Sequence, residues 1–100
     1  MGQDYSERGG VRLGSFNLTW PFAKLSASHE GIRLSCAGLV TYSFGRADLV
    51  RLSLHRGFMN EGLRIEHDGN IGPDFIVFWS FSYARLEAAL RQLGYTVATS

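Results

Sequence analysis

A chain of 100 residues carrying ten basic and nine acidic side chains, net charge +1, has room for one core and lacks the dense basic surplus that nucleic acid demands. Its 45% hydrophobic and 13% aromatic content against 19% charged excludes a disordered chain. No apolar run reaches the ~18 residues of a membrane-crossing helix.

The first stretch, Met1 to Gly10, is polar, lacks the basic and apolar regions of a signal peptide, and reads as part of a flexible segment over 1–12. A single domain is expected over 13–98. Phe16, Leu18 and Trp20 alternate with Ser15, Asn17 and Thr19 as a first strand. Pro21, with no N–H to donate, interrupts the ladder there. Ala23, Leu25 and Ala27 form a second alternating run, closed by the turn His29-Glu30-Gly31. Ile32, Leu34 and Cys36 follow, then a tight turn at Ala37-Gly38-Leu39, then Val40, Tyr42 and Phe44. The run Asp48 to His55 sets Val50, Leu52 and Leu54 against Arg51, Ser53 and His55. A glycine-bounded loop, Arg56 to Gly62, leads to Leu63 and Ile65. Asp68 to Asp74 is dense in turn residues. Phe75 to Phe81 is apolar on both faces, which predicts a strand covered on both sides.

The ending changes period. Tyr83, Leu86, Leu90 and Leu93 recur at helical spacing and define one apolar stripe. Ser82 and Ser80 compete as N-cap, and Gly94 fits the position after the last turn, with Tyr95 and Val97 folding back. About seven antiparallel strands followed by one amphipathic helix predict a mainly β barrel or sandwich plugged at one end.

The phrases Trp20-Pro21-Phe22-Ala23-Lys24-Leu25-Ser26 with Gly31-Ile32-Arg33-Leu34, then Asp48 to Leu52, Gly62 to His67 and Phe75 to Ser80, resemble strands of small bacterial PH-like and GRAM-like proteins. The resemblance runs from about Ser15 to Val97 and is carried by packing motifs. It implies a pleckstrin-homology-like split barrel of about seven strands capped by the helix, serving as a binding or scaffolding module. Eukaryotic members of that superfamily often bind phosphoinositides through a basic loop between the first two strands. Here the corresponding loop holds Lys24 as its one cation, which departs from that pattern.

Cys36 is the only cysteine. It excludes an intrachain disulfide or a cysteine-based zinc site, and reads as a small core hydrophobe in a reducing cytoplasm. His29, His55 and His67 lie near acidic residues without a metal-ligand spacing, so they read as solvated turn histidines. No Gly-x-Ser-x-Gly elbow or supported nucleophile is present; neither an enzyme nor a cofactor is expected. Arg33, Arg51 and Arg64 on outward faces offer either ordinary solvated charge or a weak anion site. Met1-Gly2-Gln3-Asp4-Tyr5-Ser6 fits the loose N-myristoylation pattern, which chance readily supplies.

The binding candidates are Arg51, His55, Arg56, Phe58 and Met59. Phe58 and Met59 form an apolar loop tip beside cations, either a wedge for a membrane surface or partner groove, or a flap folded over the barrel mouth. The expected function is a non-catalytic binding or adaptor domain, cytoplasmic or peripheral to a membrane. Its partner is an unknown protein or peptide, or a membrane surface, and not nucleic acid. The alternative is a structural protein that forms homo-oligomers through its strand edges.

Overall fold

The computed structural model describes residues 4–58, 60–68 and 72–99. Its strands are β1 (Tyr5–Leu13), β2 (Phe16–Ala27), β3 (Gly31–Cys36), β4 (Val40–Gly45), β5 (Leu49–Arg56), β6 (Glu61–His67), β7 (Ile76–Ser80) and β8 (Val97–Ala98), with one helix, α1 (Tyr83–Gln92). The expected class holds: the strands form a single curled half-barrel sheet in the order β4-β3-β2-β1-β7-β6-β5-β8, with α1 after it in the chain. Among the described residues there are eight strands rather than about seven, because β1 and β8 are added and two expected strands are joined in β2. The extra one at the C-terminus is β8, a two-residue strand parallel to β5.

The start of the chain departs from expectation. Residues 5–12, read as flexible, belong to β1, which pairs with β2 on one side and β7 on the other. Val11 is wholly buried. The two predicted strands on either side of Pro21 are one long strand, β2, with a cis Trp20–Pro21 peptide. The break expected at proline takes the form of a register shift, since Gly9 pairs with Ala23 but Val11 with Leu18. Only Ala23 to Ala27 of β2 continue into β3. Phe16 to Leu18 pair with β1 but have no ladder partner on the β3 side, residues 19–22 lie in the register shift, and Phe16, Trp20 and Phe22 stay exposed.

The inner faces of the strands and the helix stripe share one core. Leu25, Leu34, Phe44, Leu63, Ile65 and Phe78 meet Leu86, Leu90 and Leu93 of α1. Cys36 lies in the same cluster, and burial raises its thiol pKa. On the outer face of β7, Val77 is fully buried. Near it the Phe75 ring is crossed by the guanidinium groups of Arg64 at 4.5 Å and Arg12 at 5.3 Å. His55 packs edge-on against Phe75 and Trp79. This layer is why β7 can be apolar on both faces.

Ser82 precedes the helix, but its side chain makes no cap bond; its N–H donates to Ser80 Oγ at 3.0 Å. Ser80 in turn donates its hydroxyl to Glu7, which also accepts from the Tyr5 hydroxyl at 2.6 Å. At the other end Gly94 takes a φ of +91°, the left-handed position that glycine tolerates, and Tyr95 N–H returns to the Leu90 carbonyl at 2.9 Å. Arg46, from the turn between β4 and β5, donates to the carbonyls of His29, Leu93 and Gly94 at 2.9, 3.1 and 2.8 Å. Its guanidinium also lies 4.1 Å from the Tyr95 ring centre.

Tyr83 is buried with its hydroxyl unpartnered among the described residues. Desolvation, reinforced by the charges of Glu87 and Glu61, pushes its pKa from 10.0 up to about 12. Burial also raises Tyr5 and Tyr95. A phenol that holds its proton more tightly folded than unfolded contributes stability that is complete below pH 10 and lost as pH rises through the folded value. Melting temperature should therefore fall from about pH 10 to about pH 12, less steeply in Tyr83→Phe. At neutral pH that variant should stay within about 1 kcal/mol of wild type, because it removes a buried hydroxyl without a partner. Thermal melts across this range check both. A loss above about 2 kcal/mol at neutral pH would mean that the hydroxyl is hydrogen-bonded in solution.

Candidate functional site

The five residues singled out in sequence do not form one cluster. β5 presents Arg51 and His55 on the outer face of the sheet. Arg51 is exposed and paired in register with Glu66, while His55 is half-buried in the aromatic layer over β7. Arg56, at the strand end, lies 3.4 Å from Glu61. Both partners are well exposed, so the pair adds little to stability. Phe58 is 99% exposed and is not folded over the core. Met59 and Gly2 of the myristoylation pattern lie outside the described residues.

The loop that carries Phe58 starts against an aromatic ring that the sequence did not group with it. Gly57 lies against the Trp79 ring, where an added Cβ would sit 3.0 Å from the ring edge. Beside this loop opens an apolar groove lined by Leu18, Trp20, Asn60, Trp79 and Phe81, with the Gly10 backbone contributing to the lining. Trp20 is 55% exposed and Phe81 80%. Their rings meet edge to face with centroids 6.0 Å apart. Five segments thus supply the groove: β1 at Gly10, the first half of β2, the β5–β6 loop, the end of β7 and the residue after it, Phe81. Large aromatic side chains that stay in water around a concavity are the groups from which docking energy is drawn. The polar residues of the lining are Asn17, Thr19, Asn60 and Ser80, and the Ser80 hydroxyl is held by Glu7.

The three histidines are dispersed. His29 is exposed in the β2–β3 turn, His55 is stacked, and His67 Nε2 lies 2.9 Å from the Pro73 carbonyl oxygen. Among the described residues no three His, Cys, Asp or Glu side chains converge on a point that could hold a metal ion. No helix among them is long and apolar enough to cross a membrane.

The arginines read as one outward set are split by the topology. Arg51 and Arg64 are on β5 and β6, where Arg64 covers Phe75. Arg33 is on β3, across β2, β1 and β7 from them. The groove left no local signal in the sequence, because Trp20 and Phe81 belong to unrelated segments. The half-hint was Trp20 beside a proline, where the ladder had to break. Compared with known proteins, the chain matches no family model and no curated protein.

Proposed function

We propose that this domain is a non-catalytic protein-interaction module whose aromatic groove receives an apolar side chain of a partner. One observation carries the reading: Trp20 and Phe81 remain in solvent around a concavity that Leu18 and Trp79 also line. A membrane wedge would be better served by a convex apolar tip ringed with free cations. Here the concavity comes first, and Arg56, the cation nearest to Phe58 in sequence, is engaged with Glu61. The PH-like resemblance fits this reading. Two antiparallel meanders that share β1, followed by a C-terminal helix, support a PH-like fold, and such folds host binding sites of many kinds.

Panning a random peptide library against the wild-type protein and against Trp20→Ser/Phe81→Ser tests the proposal. Peptides with aromatic or large aliphatic anchors should be enriched on the wild type and bind the double variant about tenfold or more weakly, with unchanged melting temperature. Failure of such peptides to bind, or equal binding by both proteins, defeats it. Sedimentation with anionic vesicles that is lost in Phe58→Ser would replace the protein partner with a membrane surface.

Self-assembly is the second reading, favoured by β4. This strand ends the sheet, carries no charged residue, and begins at Val40 directly after Leu39, both exposed. Edges are usually blunted by charge or proline. A molar mass that climbs with concentration in light scattering would favour this reading.

A further inference from the structure

A different face of the sheet carries an unbalanced charge. On β1 to β4 the core takes Val11, Leu25, Leu34 and Phe44, so the alternate residues point outward. Register then builds two rows across the strands. In one, Arg8 stands opposite Lys24, Lys24 opposite Ser35, and Ser35 opposite Thr41. In the other, Ser6, Ser26, Arg33 and Ser43 follow one another.

Arg8 and Lys24 are thus like charges at a directly opposed position, with side-chain origins about 5 Å apart, and Arg33 is diagonal to Lys24 at about 7–8 Å. All three cations are exposed. None lies within salt-bridge distance of a carboxylate among the described residues, where the ion pairs are Arg56–Glu61 and Arg91–Glu87. Two carboxylates, Asp4 and Glu30, line the same depression as Lys24, Ser26, Arg33 and Ser43, but both lie outside the two rows, and Glu30 accepts from the Ser28 hydroxyl. Opposed like charges destabilise a sheet, so a face that groups them and surrounds them with hydroxyl groups suits an anion.

We infer that this face docks an acidic, extended segment of a protein partner. The geometry argues for that occupant over other anions. The two rows are two residues apart along β2, about 6.8 Å, which is the spacing between alternate side chains of an extended peptide. The depression is open to solvent, unlike the enclosing pocket of a small phosphorylated ligand. The eight outward residues of the two rows include no aromatic ring on which bases of single-stranded nucleic acid could stack. The inference does not rest on the aromatic groove, which is built from other residues.

Fluorescence anisotropy with a short labelled peptide alternating glutamate and serine provides the test. The wild type should bind it saturably at low salt, and binding should weaken steeply from about 50 to about 300 mM salt. Lys24→Ser/Arg33→Ser should bind about tenfold or more weakly while melting as the wild type does. Arg51→Ser/Arg85→Ser, which removes the same charge elsewhere, should bind within about twofold of wild type. Trp20→Ser/Phe81→Ser should also keep this binding, so failure of the groove reading and failure of this one are separable. Absent binding, or equal loss in the charge-matched control, overturns the inference. Tighter binding of pyrophosphate, an oligothymidylate or phosphatidylserine vesicles at the same residues would replace the peptide as occupant and overturn it too.

Discussion

Leu90→Asp is expected to abolish the cooperative thermal transition. Leu90 is 0% exposed, and it sits mid-stripe between Leu86 and Leu93, both also buried. A helix of ten residues is too short to persist alone in water, so its stability comes from the face it buries. The substitution removes a leucine whose burial contributes ~2–3 kcal/mol and inserts a carboxylate with no partner, at a cost of several kcal/mol more. Domains of this size are stable by roughly 5–10 kcal/mol, so the sum reaches the whole. Leu90→Ala provides the graded version, with a loss of about 2–5 kcal/mol and a melting temperature about 10–30 °C lower. Circular dichroism melts check both. An unchanged melt in Leu90→Asp would show that the helix does not hold the sheet closed.

Removal of residues 1–13 should be as damaging. β1 lies between β2 and β7, and in the strand order it alone joins β4-β3-β2 to β7-β6-β5-β8. Deleting it exposes two long edges at once and takes Val11 from the core. It also leaves Ser80 without its Glu7 acceptor. The truncated chain should show no cooperative melt and should aggregate, as bare edges do. Gly9→Val tests the same crossing without deletion. A Cβ at Gly9 would collide with the Trp79 carbonyl oxygen and lie 2.8 Å from the Phe78 ring. Such overpacking costs roughly 1–3 kcal/mol. If the truncated chain melts cooperatively at the wild-type temperature, β1 is dispensable.

Sequence reasoning succeeded where the causes are local. The stripe from Tyr83 to Leu93 and the glycine after it are readable because a helix buries residues that are neighbours in the chain. The alternation from Ala23 to Phe44 is readable for the same reason, since each strand there pairs with the next. β1 was hidden because its inward set is Tyr5, Glu7, Gly9, Val11 and Leu13, with a charge and a glycine in the middle. Glu7 is acceptable there because Tyr5 and Ser80 donate to it, and Ser80 is 73 residues away. The exposure of Phe16 and Trp20 was not legible, because alternation tells which residues share a face, not whether anything covers that face. The basic face needed register across three strands before Arg8, Lys24 and Arg33 met.

Arg46 has a consequence for how the domain comes apart. One side chain bonds the last carbonyls of the helix region and the carbonyl of His29 in the β2–β3 turn. The C-terminal segment therefore cannot fray alone: releasing Gly94 and Tyr95 frees a turn near the opposite edge of the sheet. Fraying of chain ends normally costs almost nothing. Here the final turn of the helix is tied to a distant hairpin, and its opening belongs to a larger cooperative unit. Lysine carries its three donors on one nitrogen and lacks the planar fork, whose one nitrogen serves the His29 and Leu93 carbonyls and the other that of Gly94.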